Sequence, residues 1–137
     1  MALTAAVLAQ EIVTRSGSAL ALDGMDTVSY FNPGKPVAGR IDIASQHRGA
    51  VWRLSSARNK LAFDANPQRY VPQYGGHCAW GTSRGYAVRG DPQVWRIVDC
   101  KLYMNYNRSV QGNWSRNIDA HISRANRDWP GVLKTKK

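Results

Sequence analysis

His77 and Cys78 stand side by side in the stretch Pro72-Gln73-Tyr74-Gly75-Gly76-His77-Cys78-Ala79. An imidazole and a thiol in a glycine-rich loop can hold copper or zinc, provided other ligands converge on them. His47, His121, Met104 and Cys100 are the remaining donors of that kind, and none stands at a recognised metal-ligand spacing. The ligand set the sequence offers for copper or zinc is therefore His77 and Cys78, completed by His47 and Met104. The competing reading is structural, with Cys78 a small buried apolar residue and His77 replacing an aromatic on the surface. Two cysteines exclude a four-cysteine zinc or iron–sulfur site within one chain and permit at most one intrachain bridge. Adjacent residues on an extended chain point to opposite faces, so His77 is badly placed to take the Cys78 proton. The nine acids are scattered, and Asp23, Asp26, Asp91 and Asp99 read as turn and cap residues rather than paired carboxylates. The expectation is a protein that is not an enzyme.

Charge is the second chemical feature. The 137 residues carry 19 Lys and Arg against nine acids, a net charge of +10 with histidine neutral. Such a surface approaches acidic proteins, anionic lipid or nucleic acid. Arg48, Arg53, Arg58 and Lys60 surround the first expected hairpin and its helix, while Arg84, Arg89 and Arg96 flank the glycine-rich loop. Arginine suits bidentate docking to carboxylate or phosphate. These seven residues form the expected partner surface, and an acidic protein or membrane-associated complex is the expected partner. No nucleic-acid motif is present, and most Trp and Tyr residues fall at alternating or helical spacing, as core residues do. The glycines form neither a phosphate loop nor a dinucleotide fingerprint.

The elements that must position these groups can be read along the chain. Thr27-Val28-Ser29-Tyr30-Phe31 reads as a strand stopped by Asn32-Pro33-Gly34-Lys35-Pro36. Ile41-Asp42-Ile43 and Ala50–Leu54 read as a hairpin about Gln46–Gly49. Ser55 and Ser56 should cap a helix running to Asn66, and Pro67 opens a turn of helix toward Tyr70. Pro72–Asp91 reads as irregular. Val94–Val98 and Lys101–Asn105 form a second hairpin whose loop, Asp99-Cys100, puts Cys100 at positive φ at a cost of about 1 kcal/mol. Val110, Trp114, Ile118, Ile122, Ala125 and Trp129 make one helical stripe, with Arg108, Arg116, Arg124 and Arg127 off it. The expected class is α+β: one small domain with two β-hairpins, a short central helix and a long amphipathic C-terminal helix. Val51, Trp52, Leu54, Phe63, Trp95, Ile97, Leu102, Tyr103, Trp114, Ile118 and Ile122 should share one core. Residues 1–20 read as a signal remnant or amphipathic helix, and 132–137 as a basic tail. The apolar stretch Ala2–Ala9 is too short to span a bilayer, so no transmembrane helix is expected. Val7-Leu8-Ala9 has the small-residue character of a cleavage site, although no basic residue precedes it.

Along residues 21–131 the chain resembles the YHS-domain family. Ala21–Phe31 is similar to the family's Gly-Tyr-Asp-x-Val-Ala-Tyr-Phe opening, with Met25 where the aromatic usually stands. Trp52-Arg53-Leu54-Ser55-Ser56-Ala57-Arg58-Asn59, then Phe63, Asn66-Pro67 and Tyr70, are similar to its strand-to-helix core. The stretch Pro72–Ala79 is the most specific element of the likeness. Asp91-Pro92, Trp95, Lys101–Tyr106, Trp114 and Asp128-Trp129-Pro130 complete it. The resemblance implies an association with heavy-metal handling through a Phe-Cys-Ser-x-x-Cys segment. Those two cysteine positions fall here on Ser55 and Asn59, which offer no thiolate. It also implies a small exported, periplasmic protein. The expectation is a non-catalytic binding module docking through its basic surface, the alternative being a periplasmic copper- or zinc-binding protein using His77 and Cys78.

Overall fold

Two tight turns in left-handed backbone organise the sheets of the computed structural model, which describes residues 11–135. Arg48 and Gly49 take φ of 53° and 77°, the signature of a two-residue turn whose twist suits a hairpin. They join β1 (Ala44–His47) to β2 (Ala50–Arg53), with Ala44 opposite Arg53 and His47 opposite Ala50. Asp99 and Cys100, at 51° and 63°, likewise join β3 (Asp91–Val98) to β4 (Lys101–Asn105). The second hairpin agrees with the sequence reading. The first needs a correction: because Arg48-Gly49 alone makes the turn, pairing begins at Ala44. Ile41-Asp42-Ile43 is a turn, with the Ile43 carbonyl accepting from the Leu54 N–H at 2.8 Å.

Thr27–Tyr30 is also corrected. It is a buried 3₁₀ helix, not a strand, because Asp26 caps it by accepting from the Val28 and Ser29 N–H groups. Ser56 caps α1 (Ala57–Ala65) as expected, and Pro67 begins α2 (Pro67–Tyr70). The glycine-rich middle is more ordered than expected. It holds a 3₁₀ turn at Gln73–Gly76 and a short helix, α3 (Ala79–Ser83). Gly75, at φ 62°, lies under the N-terminal segment, where any Cβ would collide with the Glu11 carbonyl. Val13 donates to the Gly75 carbonyl at 2.8 Å, so residues 11–14 run along the body.

The C-terminal stripe is delivered by two helices, α4 (Arg108–Ser115) and α5 (Ile118–Asp128), where one continuous helix was expected. A straight helix over that span would run about 30 Å. The break at Arg116-Asn117, with Asn117 extended at φ −155°, turns the stripe back over α3. Gly131–Thr135 follows as a 3₁₀ turn with Val132 buried, while Lys136 and Lys137 of the expected basic tail lie outside the described residues. So do Ala2–Ala9 and the cleavage-like Val7-Leu8-Ala9.

The fold is α+β, but the single core expected from the sequence divides into two clusters. Tyr30, Trp52, Leu54, Phe63, Leu102 and Met104 belong to the first; Tyr74, Ala79, Tyr103, Trp114 and Ala125 form the second. Strand β4 serves both, because alternate side chains face opposite ways: Leu102 and Met104 toward one cluster, Tyr103 toward the other. Trp95, Ile97, Ile118 and Ile122 pack half-buried at the edges, and Val51 is half-buried as well. Among the described residues no helix is long and apolar enough to cross a membrane.

Candidate functional site

At the strand-to-helix junction, Ser55 and Asn59 surround the carboxylate of Asp26, which is fully buried. Its Oδ1 accepts from the backbone N–H groups of Val28 (2.8 Å) and Ser29 (3.3 Å). Its Oδ2 accepts from the Ser55 N–H and hydroxyl, both at 2.7 Å, and from the Asn59 amide at 2.8 Å. A carboxylate has about four lone-pair directions, and five donors occupy them. The positions where the resemblance would put thiolates thus hold a saturated network of oxygen and nitrogen. That network ties the 3₁₀ helix at 27–30 to the start of α1. Reading Asp26 as a cap was right in kind. Its partners Ser55 and Asn59 lie 29 and 33 residues away in sequence, and nothing local to Asp26 marks them.

The Cys78 thiol is buried at the start of α3. Its sulfur caps α3 by accepting from the Gly81 N–H at 3.4 Å, and accepts again from Tyr106 at 3.3 Å. Its own proton is directed at the Asn105 Oδ1, 3.5 Å away, which also accepts from the Trp80 N–H. Burial pushes the thiol's pKa up despite the N–H groups that favour the thiolate. His77 is only 5% exposed and lies against the Trp129 ring at 5.5 Å, which corrects its expected place on the surface. Met104 bridges to Cys78 through the backbone, whereas His47 sits edge-on to Phe63 on the first hairpin. The structure therefore joins Cys78 to Met104 but leaves His77 and His47 against different clusters. Among the described residues no three His, Cys, Asp or Glu side chains gather as a ligand set. Cys100 is exposed, Cys78 buried, and the two are unbridged. A thiol reagent should modify one cysteine per chain at once and the second only as fast as the protein unfolds. Two equally fast thiols would contradict the burial of Cys78.

The basic surface is uneven. Arg48 pairs with Glu11 at 3.1 Å, Lys60 with Asp64 at 2.8 Å, and Arg89 shares Asp23 with Arg15 at 3.4 Å. Arg53 is half-buried. Of the seven residues expected to meet a partner, Arg53, Arg58, Arg84 and Arg96 make no ion pair among the described residues, and the last three are exposed. Arg108, Arg116 and Arg124, also exposed, join them in that condition. The sequence carried that signal, because these residues lie off the apolar stripe of the C-terminal helices. Arg84 stacks over the Trp80 ring at 5.0 Å, and α3 packs on α5, which carries Arg124. Between them His121 contacts the Ser83 hydroxyl at 3.1 Å. That hydroxyl spends its proton on the Trp80 carbonyl, so the imidazole Nδ1 must be the donor. Burial first, then the charges of Arg124 and Arg84, hold the His121 pKa below its ordinary value. Arg84 and Arg124 thus lie near enough to His121 to oppose its protonation.

Comparison of the chain with models of known families, with curated proteins and with solved structures gave no match.

Proposed function

We propose that this protein is a non-catalytic binding module that docks on an acidic protein through Arg84, at the end of α3, and the arginines of the C-terminal helices. The observation that carries the reading is the set of exposed arginines without ion pairs, with Arg84 and Arg124 at its centre. All nine acids fall within the described residues, and five of them take up the ion pairs of six other cations. Asp26 is spent inside the fold. The charge excess is therefore available to a partner, and arginine's planar fork suits carboxylates. Membership of the YHS family and an exported, periplasmic location belong to the same proposal and rest on the resemblance; fractionation of the native cell tests the location.

The docking test compares wild type with an Arg84→Glu/Arg124→Glu variant as tagged baits in native extract, at low and at physiological salt. The metal content of each sample is measured as well. A stoichiometric acidic protein retained by wild type at low salt, and absent from the variant, is the expected result. A bare monomer carrying one equivalent of copper or zinc would overturn it in favour of a metal-binding function.

A further inference from the structure

A recess of about 300 Å³ opens where the N-terminal segment crosses the body, and neither Arg84 nor Arg124 lines it. Its volume is that of about ten waters in the liquid, at the lower end of sites that take small ligands. Polar groups line it from five separate parts of the chain: Glu11, Arg48 from the β1–β2 turn, Gln68 from α2, Gln73 from the 3₁₀ turn and Asn126 from α5. Tyr74 and Trp129 complete it with aromatic surface.

The charges are arranged in a particular way. Arg48 Nη1 donates to Glu11 Oε1 at 3.1 Å, using one of the guanidinium's five donors. Both groups keep capacity, and the second carboxylate oxygen has no recorded bond among the described residues. The Glu11 side chain is only 17% exposed, so its charge is little screened. The Asn126 Oδ1 accepts from the Tyr74 hydroxyl at 2.8 Å, which leaves the amide nitrogen to donate. A simple anion entering here meets Glu11, and a simple cation meets Arg48. A molecule bearing an ammonium beside a carboxylate satisfies both and turns the pair into a four-charge ring. The apolar part of such a molecule would lie against Trp129, Val71 and Pro72.

We infer that this recess binds a small zwitterion with an apolar side chain, of the size and kind of a free α-amino acid. Arg48 would orient its carboxylate and Glu11 its ammonium, as a charge-assisted pair on each side. The inference is independent of the docking surface proposed above, because Arg48 is occupied by Glu11 and does not belong to the unpaired arginines.

The test follows the Trp129 indole and Gln73 amide resonances of the full chain during titration with L-leucine. Parallel titrations use 4-methylpentanoate, which lacks the ammonium, and 3-methylbutylamine, which lacks the carboxylate. Leucine should shift these resonances saturably and bind at least about tenfold more tightly than either analogue. Glu11→Gln and Arg48→Gln, each at the edge of the fold, should weaken leucine binding by a similar factor while the remaining resonances stay in place. No shift by about 10 mM leucine, where a millimolar site is nearly saturated, would overturn the inference. So would equal binding of all three probes, or leucine affinity unchanged in both variants.

Discussion

Replacing Asp26 with alanine is expected to lower the unfolding free energy by about 4 kcal/mol, a large fraction of what a domain of this size possesses. The carboxylate is inaccessible to solvent and receives five donors, two from the 3₁₀ helix at 27–30 and three from Ser55 and Asn59. Alanine leaves all of those donors facing a small hole. A buried donor left without a partner costs about 1–3 kcal/mol, and the five losses will not add fully because some donors can find water. Asp26→Asn separates two contributions. It keeps an oxygen for the Val28 and Ser29 N–H groups but turns an NH₂ toward the three donors of the other side. The expected loss is about 2–3 kcal/mol. Urea unfolding of both variants checks this, and midpoints within error of wild type would mean that the carboxylate does not organise the junction.

Trp114→Ala should cost about 3–5 kcal/mol. The indole is completely buried, and its centroid lies 5.5 Å from that of Tyr103 at the centre of the second cluster. Its Nε1 has no acceptor among the described residues. Trp114→Phe should therefore cost much less, since it removes an unsatisfied donor along with part of the ring. Trp52 lies in the other cluster, so Trp114→Ala and Trp52→Ala should have additive effects within about 0.5 kcal/mol. Coupling well above that would mean that the two clusters behave as one core, as the sequence alone suggests.

What the sequence conveyed and what it hid divide along physical lines. The second hairpin was legible because Asp99-Cys100 interrupts two runs of β-forming residues by the length of a tight turn. The first was displaced because Arg48 takes positive φ without being glycine or asparagine, so nothing in its identity marks the turn. Thr27–Phe31 has the composition of a strand, yet Asp26 supplies acceptors locally and makes a 3₁₀ helix of it. The break between α4 and α5 was invisible for a different reason: the apolar stripe continues in phase through it, so periodicity carries no trace of the bend. At the candidate sites, His77 and Cys78 were easy to find and their surroundings were not. Asn105 and Tyr106, which hold the thiol, belong to another strand and its end. The recess at Glu11 and Arg48 joins residues 37 apart in sequence and leaves no local pattern at all.

The docking claim is tested most directly by the association rate of the purified partner with this protein, measured across ionic strength for wild type and for the Arg84→Glu/Arg124→Glu variant. Screening shortens from about 30 Å at 0.01 M salt to about 8 Å at physiological salt, so a rate steered by these arginines must fall steeply over that range. The expected result is a wild-type rate at low salt at least about tenfold above that of the variant, with the two converging as salt rises. Equal rates with equal salt dependence would contradict docking through this face.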